Sequence, residues 1–211
     1  MRYILKDYQE DAVREVLQKL TRAKRNFEFD GTPSAFALSA TTGAGKTVMA
    51  AAVIEAIFEG REDNLFEPDP NATILWFSDD PSLNEQSRRS LTRASEVLSV
   101  RTQTIESDFA AERLDPGMVY FLNADKLSKN GRLVRGAQDD DQEALLARPD
   151  TAQHNFWDVL RNTADDGTTV YMFLDEAHRG MNPKNRNTIV RKLVDGAHGA
   201  PPVSYTHLRA H

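Results

Sequence analysis

Apolar positions along the chain recur at two spacings, and the spacings alternate. Tyr8, Ala12, Val13, Val16, Leu17 and Leu20 fall three or four residues apart, which predicts an amphipathic helix at the start. A polar stretch with Gly31 and Pro33 ends it. Residues 35–40 form a short apolar run, and 46–58 read as a helix that is apolar nearly all round (Val48, Met49, Val53, Ile54, Ile57, Phe58), so it must be buried on most sides. Residues 59–71 are acidic, carry Pro68 and Pro70, and predict a surface loop. A strand is expected at 72–77, a helix from Pro81 to about Leu98, and strands at 100–105 and 118–122. Residues 132–153, with Asp139, Asp140 and Asp141, read as a polar surface excursion. A helix at 155–163, a continuously apolar strand at 169–174 and a helix at 185–194 follow. Strands alternating with helices predict an α/β fold built on a parallel, doubly wound sheet.

Composition narrows this only a little. The 211 residues are 40% hydrophobic, enough for one sizeable core. The net charge of -6 gives no overall basic footprint for nucleic acid, although a local groove can still be basic. There is no Cys, which excludes disulfides, zinc fingers and thiol chemistry. The first residues lack a signal-peptide core, and no apolar run reaches membrane-spanning length, so a cytoplasmic protein is expected.

Two short stretches carry chemistry. After the 35–40 strand the chain reads Ala40-Thr41-Thr42-Gly43-Ala44-Gly45-Lys46-Thr47. Gly43 and Gly45 let the backbone bend tightly, so successive N–H groups point inward as an anion nest. The helix starting near Lys46 adds its positive end. Thr42 to Thr47 are therefore candidate nucleotide-binding residues, with Lys46 reaching the β- and γ-phosphates and the Thr47 hydroxyl on Mg²⁺. The second stretch is Asp175-Glu176-Ala177-His178, behind the last apolar strand. An Asp at a strand end can hold Mg²⁺ through water. Glu176 can accept a proton from an attacking water, and His178 can relay nucleotide state to a neighbouring element. A zinc site is not supported, because one His has no spaced partners.

These two motifs together resemble the first motor domain of superfamily 2 DEAD/DEAH-box helicases. Ala40, where the general phosphate loop has Gly, is typical of that superfamily. Asp-Glu-Ala-His-Arg-Gly-Met points more narrowly to the restriction (Res) subunit of type III restriction-modification enzymes. The resemblance implies a RecA-like P-loop NTPase domain using ATP and Mg²⁺, with Glu176 and Lys46 as catalytic residues and His178 coupling hydrolysis to movement. Leu5-Lys6-Asp7-Tyr8-Gln9 looks like the motif in which a glutamine reads adenine. Trp76-Phe77-Ser78 with Leu83 and Gln86, and the 120–127 segment with Asn123 and Lys126, resemble segments that contact a nucleic-acid backbone, here expected to be DNA. Methyltransferase or nuclease subunits are implied partners. A small-molecule P-loop kinase and a non-hydrolysing nucleotide-binding adaptor are rival readings.

Residues 203–211 back-translate in one frame onto a transposon end and sequencing adapter. The expected division is a partial ATP-binding domain over 1–202 and a non-native tail over 203–211, with the domain incomplete at its C-terminus. In the resembled fold, a Ser-Ala-Thr strand lies between the strand ending at Ala40 and the strand ending at Asp175. Without it that slot would be empty, and residues 203–208, which favour strand, are expected to fill it.

Overall fold

The computed structural model describes residues 1–31, 34–41, 43–61, 66–78, 80–127, 132–135, 154–175, 189–196, 200 and 204–210. Its elements in chain order are α1 (Asp7–Asp30), β1 (Ala35–Ala40), α2 (Lys46–Glu59), β2 (Ala72–Ser78), α3 (Pro81–Ala94), β3 (Thr102–Thr104), β4 (Val119–Asn123), α4 (Arg132–Arg135), α5 (Phe156–Asp165), β5 (Thr169–Asp175), α6 (Ile189–Asp195) and β6 (Ser204–Ala210). The strands form one six-stranded sheet in the order β1-β6-β5-β2-β4-β3, and every pairing is parallel.

Alternation along each strand sends successive side chains to opposite faces. Ile74 and Trp76 of β2, Val119 and Phe121 of β4, and Tyr171 and Phe173 of β5 join one core with α1, α2 and α3. Leu75, Phe77, Tyr120, Leu122, Met172 and Leu174 join a second core under α4, α5 and α6. Both faces are covered, which is why the strands are apolar throughout rather than alternating. Trp76 is fully buried and stacks on Phe173, with ring centroids 5.8 Å apart, so it belongs to the core.

Local sequence sets the element ends. Gly31, at φ 71, closes α1 with its N–H on the Phe27 carbonyl. The Asp80 side chain accepts from Ser82 N at 2.8 Å, and Pro81 takes the first helical position of α3. Asn155 caps α5 by accepting from Trp157 N and Asp158 N. α3 stops at Ala94, short of the expected Leu98. Buried Ser95 turns its hydroxyl to accept from Leu98 N, and a 3-10 turn at Val97–Val100 follows. That turn shortens the expected 100–105 strand to Thr102–Thr104. The expected surface excursion at 132–153 begins with α4, whose Leu133 is buried in the second core; the remainder, 136–153, lies outside the described residues. Of the helix expected at 185–194, the described part is Ile189–Asp195.

The slot between β1 and β5 is filled by β6. Ala35 to Ala40 pair with Tyr205 to Ala210, and Tyr171 to Asp175 pair with Ser204 to Leu208. The strand-forming tail thus takes the place predicted from sequence. Without it, β1 would have no strand partner and β5 would carry unpaired backbone groups along one edge.

Candidate nucleotide site

The phosphate-loop residues leave β1 at the C-terminal edge of the sheet and enter α2 directly. Gly43 and Gly45 both sit at φ 82, a left-handed conformation that favours glycine, and Gly45 is the N-cap of α2. Its carbonyl accepts from Met49 N at 3.0 Å, so the helix begins at Lys46 with its first N–H groups toward the loop. The loop is tightened by Ala44 N on the Thr41 carbonyl at 3.1 Å. Thr47 is half-buried in the first turn of α2.

α1 holds this loop from above. Gln9 Nε2 donates to the Ala44 carbonyl at 2.9 Å, and Tyr8 Oη donates to the same oxygen at 3.1 Å. Gln9 Oε1 accepts from Lys6 N at 3.0 Å, the reach-back of a helix N3 residue. Both ends of the Gln9 amide are therefore engaged, and the residue is buried, whereas Tyr8 is half exposed. Expected to read adenine, the pair here also ties the helix to the apex of the loop.

Asp175 ends β5 at the same edge. Through Leu208 it lies level with Leu38 of β1, two strands away, or about 10 Å at ordinary strand spacing. The register also sets Asp175, Ser78 and Asn123 in one row across β5, β2 and β4. By the period-two rule all three point to the face covered by α3. Ser87 Oγ on α3 donates to Asp175 Oδ2 at 2.7 Å. Thr42, Glu176 and His178 lie outside the described residues.

The four candidate nucleic-acid residues separate. Ser78 is fully buried, and its hydroxyl donates to Asn84 Oδ1 at 2.8 Å. Asn123 is also buried, donating to the Ser78 carbonyl and accepting from Asp125 N. Neither offers a surface to a nucleic-acid backbone; both fix the loops that leave β2 and β4. Lys126 is half-buried and paired with Glu106. Gln86 is exposed on α3. On the same helix, Arg88 and Arg89 both bond Glu85, and these bonds hold the Glu85 carboxyl down at about 2, with Arg88 the larger influence.

Asn84 and Ser87 were not anticipated as functional. They lie three residues apart on the stripe that continues to Leu91 and Ala94, all four buried. Two polar residues on an otherwise inward stripe were the available signal. Among the described residues, no group of three His, Cys, Asp or Glu side chains could hold a metal unaided, and no helix is long and apolar enough to cross a membrane.

A parallel sheet with a glycine loop after one strand and an acidic residue ending another defines the RecA-like P-loop class. The profile of the family "Type III restriction enzyme, res subunit" matches residues 2–196, and the chain belongs to that family. The fold is similar to that in a structure of a nuclease-deletion mutant of the Type ISP restriction-modification enzyme LlaGI in complex with a DNA substrate mimic. That match has a TM-score of 0.50 and 16% sequence identity, and covers 99% of this chain. The chain spans 18% of the length of the LlaGI chain. No curated protein matches the sequence.

Proposed function

We propose that this chain is the ATP-binding first motor domain of an ATP-dependent DNA helicase or translocase of a restriction or defence system, acting in the cytoplasm. The observation that supports this best is the pairing of the Gly43 and Gly45 loop, capping α2, with Asp175 at the same edge of the sheet. In this reading the loop amides of 42–47 and Lys46 hold the phosphates of ATP. Tyr8 and Gln9 face the adenine. Thr47 and Asp175 hold Mg²⁺, which neutralises phosphate charge when bound. Glu176 takes the proton of the attacking water, and His178 couples hydrolysis to movement.

DNA as partner is supported by the LlaGI enzyme having been captured with a DNA substrate mimic. Exposed Gln86 is the described candidate contact. Methyltransferase or nuclease subunits are the proposed associates. Membership of the res family argues against a metabolite kinase.

The test is DNA-stimulated ATP hydrolysis by the full-length parent carrying Glu176→Gln. The expected variant binds ATP and does not hydrolyse it. Hydrolysis at the unmodified rate would remove Glu176 from its role.

A further inference from the structure

Ser87 is buried, yet a serine has no apolar reason to sit on the inner stripe of α3. Its hydroxyl donates to Asp175 Oδ2 at 2.7 Å, the length of a hydrogen bond to an ionised carboxylate. One turn earlier on the same stripe, Asn84 accepts from Ser78. Ser78 and Asp175 are register partners on neighbouring strands. α3 is therefore fastened to two adjacent strand ends through Ser87 and Asn84, and the strand-end residue that Ser87 bonds, Asp175, belongs to the candidate cation site. The helix itself is fixed at its start by the Asp80 cap and Pro81, and along its length by Leu91 and Ala94 in the core. A donor on so firmly held a helix constrains the Asp175 carboxylate at Oδ2.

We propose that Ser87 is a positioning residue for Mg²⁺: it orients Asp175 so that the cation is met with the carboxylate already aligned. This deepens the nucleotide reading above and rests on it. Outer partners that orient a metal-holding group typically carry a 10- to 100-fold effect on metal affinity when removed. A serine that merely filled space would instead affect folding and all binding alike.

The experiment is a Mg²⁺ titration of fluorescent ATP-analogue binding to the 211-residue chain, as wild type, Ser87→Ala, Ser87→Thr, Ser87→Cys and Asp175→Asn. Ser87→Ala should raise the Mg²⁺ concentration at half-effect about tenfold. Affinity at saturating Mg²⁺ and the melting temperature should stay at the wild-type values. Ser87→Thr, which keeps the hydroxyl, should restore the wild-type Mg²⁺ dependence. Ser87→Cys has the same shape with a weak donor; it should fall between Ser and Ala, and it carries the test if the alanine variant does not fold. A Ser87→Ala or Ser87→Cys curve lying on the wild-type curve overturns the proposal. So does an equal loss at every Mg²⁺ concentration. If Asp175→Asn shifts the Mg²⁺ dependence and Ser87→Ala does not, the nucleotide reading stands and the Ser87 proposal falls. If wild type binds no analogue at any Mg²⁺ concentration, the nucleotide reading fails and takes the proposal with it.

Discussion

Gln9 and Gly45 fit each other so closely that a Cβ at position 45 would lie 2.5 Å from Gln9 Nε2, and the end of the Gln9 side chain would have to leave the loop to admit it. Gly45 also sits at φ 82. Two separate penalties therefore act on Gly45→Ala, a steric one and a backbone one of about 1–2 kcal/mol. Gly45→Ala is expected to abolish ATP binding. Adding Gln9→Ala should recover part of the lost melting temperature by removing the clash, while binding stays weak because the backbone strain remains. Calorimetry on the single and double variants checks this; full rescue by Gln9→Ala would show that backbone strain contributes nothing.

Arg88 and Arg89 are drawn onto Glu85, so the charge that α3 presents to solvent is partly spent within the helix. Glu85→Gln should release both arginines and strengthen single-stranded DNA binding. The salt dependence should steepen by about 0.7 in log–log slope for each phosphate newly engaged. Affinity and slope both unchanged would place these arginines away from the DNA path.

The same cluster predicts a pH response. Glu85 titrates at about 2 in the folded chain against an ordinary 4.5, so its ionised form is favoured by folding. Any stability it contributes is complete above pH 4.5 and is lost as pH falls toward 2. The carboxyl carbon resonance of Glu85 should therefore titrate well below those of free glutamates. A midpoint at the ordinary value would mean that the arginine contacts do not persist in solution.

How much of this was legible in sequence depends on range. β1, α2, β2 and β5 could be read almost to the residue, because strands buried on both faces are unbroken apolar runs and the glycine loop marks where α2 begins. The end of α3 could not, since Ser95 breaks the helix only when its side chain turns to bond Leu98 N. The places of Gly43 to Thr47 and of Asp175 in the fold could be read because each follows or ends an unbroken apolar strand. Ser78 and Asn123 stand out in sequence only by resemblance to backbone-contacting segments, and their burial depends on how α3 packs over the strand ends, which sequence does not show. Ser87 was missed for the converse reason: its partner lies 88 positions away, on β5.

β6 joins β1 to β5 and so fixes the spacing between the loop and Asp175. We propose that residues 203–211 are adapter-encoded, making β6 a stand-in for a native strand. Deleting 203–211 should destabilise the chain by at least about 3 kcal/mol, since buried backbone groups on two strands lose their partners. Hydrogen exchange should speed up in β1 and β5. An unchanged melt with unchanged protection would show that the slot closes without this strand. Source DNA read through the Pro202 codon should leave the 203–211 sequence; the same codons continuing into unrelated native sequence would contradict the adapter origin.

We propose that the Gly43–Thr47 loop and Asp175 form one ATP·Mg²⁺ site. Titrating the wild-type chain and Lys46→Ala with ATP at saturating Mg²⁺, by calorimetry, tests it most directly. Binding to wild type is expected, lost in Lys46→Ala and weakened by removing Mg²⁺. Equal binding to both chains, or none to a folded wild type, would contradict it.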